Sequence, residues 1–205
     1  MVVSQSDEYG GKTLKKIKSW SVVPGVFVQS DPLHDATGYD LLGDGFGLVD
    51  KSPERWQNLV KKLKQLNEES DEHTTYKLIY YARHGEGFHN RAESKYGTAA
   101  WDSHWAQKTG DGESVWGPDP LLTEKGIGQA RTMNSALKKE LEHGMPLPQK
   151  LYSSPFQRSA TTLQITWEDI LLNKGMVPKG TSMRSYLRSA ESSIRHRKGL
   201  SWMDL

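Results

Sequence analysis

Apolar residues recur at helical spacing in three stretches of the chain. The first is Trp56, Leu59, Val60, Leu63 and Leu66, the second Ile127, Ala130, Met133, Leu137 and Leu141, and the third Phe156, Ala160, Leu163, Trp167 and Ile170. Each pattern predicts an amphipathic helix with one buried stripe. Ser52 with Pro53, Thr123, and Ser154 with Pro155 supply start signals, and Gly144 a stop. Two shorter runs have a different character. Leu78, Ile79, Tyr80, Tyr81 and Ala82 are contiguous, rich in β-formers and too few for a helix, which predicts a strand buried on both faces. Residues 150–153 predict a second short strand. The order strand, helix, strand, helix predicts an α/β fold with a parallel sheet.

The remaining segments show no clean period. Residues 1–50 carry Gly, Asp and Ser at short intervals among scattered apolar anchors such as Trp20, Val22, Val26 and Phe27, and are expected to form an irregular lead-in. Residues 67–75 are polar, so His73 is expected in solvent. Residues 91–122 form a long insertion with Trp101, Trp105 and Trp116, either a functional lid or a loop anchored by its tryptophans. From Gly175 onward Ser and Arg dominate without periodicity, which predicts one domain over residues 1–174 and an atypical tail over 175–205.

Composition narrows the classes. With 27 Lys and Arg against 25 Asp and Glu in 205 residues, the formal charge of +2 makes no general case for a nucleic-acid or membrane partner. The 35% hydrophobic content suits one modest core. There is no cysteine, which excludes disulfides, thiol nucleophiles and thiolate metal sites. The N-terminus lacks an apolar signal core and no run reaches membrane-spanning length, so a soluble, cytoplasmic protein is expected.

The candidate chemistry lies where the first expected strand ends. Arg83 and His84 close it, and Gly85 and Gly87 then allow a sharp turn with room for a ligand. Ligands of open α/β sheets bind beyond the carboxyl ends of strands, so a guanidinium beside an imidazole there points to an anion and a nucleophile or base. Arg158 falls in the first turn of the helix after the second strand, beside Ser153 and Ser154, where free N–H groups and the helix dipole favour a phosphate. Two arginines on one histidine would neutralise a phosphoryl group under attack by the imidazole. The plainer alternative is a surface Arg-His pair before a turn and a solvated first-turn arginine.

The motifs ARHGEGFHN, LTEKGIGQA and SSPFQRSATT, in that order, resemble the histidine phosphatase or phosphoglycerate mutase-like superfamily. GEGFHN, YGTAAWDSHW and the tryptophan-rich insertion are most similar to its fungal phosphomutase-like branch. The resemblance implies a three-layer α/β/α sandwich with a mainly parallel sheet, here apparently truncated. It implies that His84 is the phosphorylated nucleophile, Arg83 and Arg158 phosphate ligands, and Asn90 a polar residue near the phosphate; Glu86 and His89 fall between these as either substrate contacts or ordinary turn polarity, while Gly85 and Ser154 are substrate-binding candidates from their places in the turn and at the helix start. No metal or cofactor is implied, and the partner would be a small phosphorylated metabolite. Family members continue with a catalytic acid, further strands and a second histidine; His196 is the one histidine after Arg158, and no apolar strand precedes it.

The expected function is therefore a phosphomonoester hydrolase or phosphomutase-like activity through phosphohistidine, at full or reduced level. The alternative is a non-catalytic phosphate-binding accessory protein. A metal site on His84, His89 and His104 is disfavoured by spacing across loops, and nucleic-acid binding through Arg184, Arg188, Arg195, Arg197 and Lys198 by the ordinary behaviour of solvated basic tails.

Overall fold

The computed structural model describes residues 2–9, 12–35 and 37–174, so the expected tail lies outside the described residues. The chain divides into two compact units, residues 1–81 with 136–147, and residues 82–135 with 148 onward. Helix and a little strand are both present. Among the described residues no helix is long and apolar enough to cross a membrane.

In the first unit, strands β1 (Val2–Tyr9) and β2 (Lys12–Trp20) pair antiparallel, and β3 (Thr74–Thr75) adds to the other edge of β1, giving the order β2-β1-β3. This corrects the irregular lead-in. The signal was a Gly-Gly pair between two runs that can pair. Helix α1 (Arg55–Glu68) starts two residues after the expected Pro53 and has no side-chain cap; the Ser52 carbonyl, not its hydroxyl, accepts from the Arg55 amide at 3.2 Å. The unit's core gathers Leu48, Trp56, Leu137 and Met145, all nearly inaccessible to solvent. Within it lies a buried carboxylate, Glu140, on helix α4 (Glu124–Glu142). Arg55 donates to it from Nη2 at 2.9 Å and from Nε at 3.1 Å, and Trp56 Nε1 at 2.7 Å. Three donors on one carboxylate offset the cost of taking it out of water. Gly144, at φ 83, ends the helix in the left-handed conformation, as expected, and the Met145 amide returns to the Glu140 carbonyl.

The two expected strands at residues 78–82 and 150–153 are not formed. An extended segment becomes a strand only when a neighbour takes up its N–H and C=O groups, and neither segment has such a ladder among the described residues. Ile79 is 68% and Tyr81 95% exposed, so this segment is not buried on both faces. Its alternation survives: Leu78 and Tyr80 are partly covered, and the Tyr80 hydroxyl donates to the Pro146 carbonyl at 2.6 Å.

The second unit is mainly helical. The insertion expected over residues 91–122 is helical in its first part, forming most of α2 (Phe88–Tyr96), α3 (Thr98–Ser103) and a single 3-10 turn (Trp105–Gln107). Tyr96 stacks on Trp105 with ring centres 4.2 Å apart, and Trp116, buried, meets Trp101, Trp105 and Tyr96. The aromatics thus serve as the insertion's own small core. Helix α5 (Gln157–Trp167) buries Ala160 and Trp167 along the expected stripe.

Candidate functional site

The loop 85–88 is laid against residues 121–123. Phe88 donates its amide to the Leu121 carbonyl at 3.0 Å and Thr123 its amide to the Glu86 carbonyl at 2.9 Å. Gly85 and Gly126 are what make this approach possible, since a side chain on Gly85 would collide with the Gly126 backbone, and one on Gly126 with the Glu86 backbone. The space at Gly85, expected for a ligand, is taken by the protein itself. The hydroxyl of Thr123 accepts from the Gly126 amide at 3.1 Å, capping α4 as its position predicts, and lies 2.9 Å from the Glu86 carboxylate.

Glu86 is accordingly committed to this joint. Lys125 Nζ is 2.9 Å from its other oxygen, and the Glu86 amide donates to Gln129 at 2.7 Å. The Lys125 and Thr123 hydrogen bonds hold its carboxyl below the usual range, so Glu86 is ionised at neutral pH.

His84 and Arg158 are brought together. His84 Nδ1 is 2.7 Å from the Gly85 carbonyl, which can only accept, so Nδ1 carries the proton. Its Nε2 then holds the lone pair, and Arg158 Nε donates to it at 3.1 Å. Arg158 is steadied by the Phe156 ring, 4.3 Å from the guanidinium carbon. One turn further along α5, the Thr162 hydroxyl donates to the Arg158 carbonyl at 2.7 Å and accepts from the Gly85 amide at 3.1 Å, so the same helix fixes both the arginine and the histidine loop.

The other candidates are placed less uniformly. Arg83 is exposed, and its charge reaches His89. Asn90 accepts from the Gly87 amide at 3.1 Å and so closes the start of α2. Ser154 is exposed, and its carbonyl accepts from the Ser153 hydroxyl at 2.9 Å. Neither serine caps α5. Asp119 does so, with its two carboxylate oxygens 3.0 and 3.2 Å from the Gln157 amide. Sequence reasoning missed Asp119, Gln129 and Thr162. The i, i+4 spacing of Arg158 and Thr162 puts them on one helix face and was a usable signal; a prolyl-flanked acid and a helical Gln give none. Among the described residues no three His, Asp or Glu side chains converge as a metal site requires.

An oriented imidazole lone pair beside a guanidinium is suited to attack on an anionic electrophile, with the arginine neutralising its charge. No protein-family profile matches the chain, and no solved structure does. Among curated proteins, the chain is 34% identical over 174 residues to a protein of Arthroderma benhamiae named probable phosphoglycerate mutase, covering 78% of this chain and 52% of that protein. It is 34% identical over 172 residues to phosphomutase-like protein 3 of Candida albicans, covering 84% and 49%. It is 37% identical over 110 residues to a probable phosphoglycerate mutase of Saccharomyces cerevisiae, covering 53% and 37%. The chain spans about half the length of the first two of these relatives. Over the segment it shares with them, the chain is similar to fungal phosphoglycerate mutase-like and phosphomutase-like proteins.

Proposed function

We propose that the chain takes a phosphoryl group from a small phosphorylated metabolite onto His84 Nε2, as a phosphomonoester hydrolase or phosphomutase-like protein. The observation that carries this reading is the pair of contacts on His84: the Gly85 carbonyl fixes the tautomer, and Arg158 meets the lone pair. A dianionic phosphate draws the Arg158 guanidinium onto its oxygens and so frees Nε2. Nε2 attacks phosphorus, the P–O bond to the leaving group breaks, and the departing oxygen takes a proton from solvent water. Water then cleaves the P–N bond, giving inorganic phosphate and free imidazole; passage of the phosphoryl group back to a hydroxyl would instead be mutase chemistry. We favour hydrolysis. Residues 1–174 would contribute to the superfamily's three-layer α/β/α sandwich with its mainly parallel sheet.

Arg158→Ala should weaken vanadate or phosphate binding about tenfold or more, from the loss of a charge-assisted contact. Unchanged affinity in calorimetric titration would place the anion elsewhere. The leaving group separates full from partial function. Glu86, the carboxylate on the nucleophile's loop, is held ionised by Lys125 and Thr123 and is a poor proton donor at neutral pH. General acid catalysis contributes ~10² to 10⁴ in rate, so p-nitrophenyl phosphate, which leaves without protonation, should turn over far faster than an alkyl phosphate. Equal rates would show that an acid is in place. The same commitment of Glu86 favours the second reading, a non-catalytic phosphate-binding accessory protein, which predicts vanadate binding with no phosphoenzyme.

A further inference from the structure

His89 sits in the first turn of α2, its ring centre 5.4 Å from that of His84. It makes no hydrogen bond among the described residues, and its Nδ1 is buried without a partner. The Nδ1 edge of the ring packs on Gly87, where any side chain would strike it. Burial, followed by the charges of Arg158, His84 and Arg83, pushes its pKa down to about 4, so the imidazole is neutral in the working range. The buried Nδ1 has no acceptor among the described residues, so the proton of the neutral ring belongs on Nε2. An apolar side chain would fill this position without leaving a polar atom unpaired. An unpartnered imidazole next to the nucleophile therefore points to a ligand.

We propose that His89 Nε2–H donates a hydrogen bond to an oxygen of the phosphoryl group bound at His84, making it a third phosphoryl contact beside Arg83 and Arg158. This rests on the phosphohistidine reading above. As a neutral donor, His89 adds a directed hydrogen bond without adding a third full positive charge to a site that already holds two arginines.

Gln and Asn variants separate this role from packing, because the Gln amide nitrogen reaches the position of imidazole Nε2 and the Asn amide only that of Nδ1. In calorimetric titration of the full chain with vanadate, His89→Asn should bind about tenfold more weakly than wild type, and His89→Gln within about threefold of it. Nitrogen-15 NMR of the wild-type histidines adds a readout that does not depend on a variant's folding: the His89 Nε2–H signal should shift on vanadate addition. Equal affinity in both variants and wild type, equal loss in both variants with unchanged melting, or an unmoved His89 signal would overturn the proposal. Each of these leaves the phosphohistidine reading intact provided the wild-type chain still binds vanadate and is labelled on His84. Failure of the wild type itself in both assays would overturn that reading, and the role of His89 with it.

Discussion

Glu140→Ala should destabilise the first unit by about 3–5 kcal/mol, the usual cost of removing one partner from a buried ion pair. Glu140 is 2% exposed and the Arg55 side chain 12%, so the guanidinium left behind cannot recover full hydration. Trp56, 1% exposed, also loses the acceptor of its indole N–H. Since a domain's whole stability is about 5–15 kcal/mol, this change removes about a fifth of it or more. Urea unfolding should show a lower midpoint with an unchanged slope. The double variant Arg55→Met with Glu140→Leu should recover a good part of the loss, because two apolar groups leave no charge uncompensated. A loss below about 1 kcal/mol in the single variant would mean that water reaches the pair.

The second large effect is chemical. His84→Ala should abolish phosphoenzyme formation and lower turnover of p-nitrophenyl phosphate by at least ~10⁴, on the scale seen when a covalent nucleophile is deleted from an enzyme. Vanadate binding should fall less, because Arg83 and Arg158 keep their charges. A variant that lost binding and turnover equally would indicate a histidine that positions substrate without reacting with it.

Much of the helical structure was legible in the sequence, because a 3.6-residue stripe records which face a helix buries; the stripe of α4 placed Ala130 and Leu137 in the interior. It gave no sign of Glu140, since a carboxylate at the edge of an apolar stripe reads as solvated until Arg55 and Trp56, some 85 positions away, are brought to it. The two strands were misread for a related reason. Strand propensity describes a segment's suitability for pairing, and the pairing itself depends on a neighbour that residues 78–82 do not have among the described residues. At the candidate site, the chemistry-bearing residues were visible as motifs, whereas the roles of the residues around them depended on geometry. Glu86 reads as a substrate contact, yet Thr123 and Lys125 hold it. Gly85 reads as room for a ligand, yet Gly126 fills the space. Asp119, the residue that caps α5, comes from 38 positions upstream and has no local signature.

The central claim is that His84 Nε2 is the atom that accepts phosphorus. Brief incubation of the full chain with an isotopically labelled aryl phosphate, quenching in alkali and peptide mass spectrometry tests it directly. The account predicts a base-stable, acid-labile phosphoryl group on the peptide containing His84, absent from His84→Ala and diminished in Arg158→Ala. Label that persists in His84→Ala, or that maps to another residue, would contradict it.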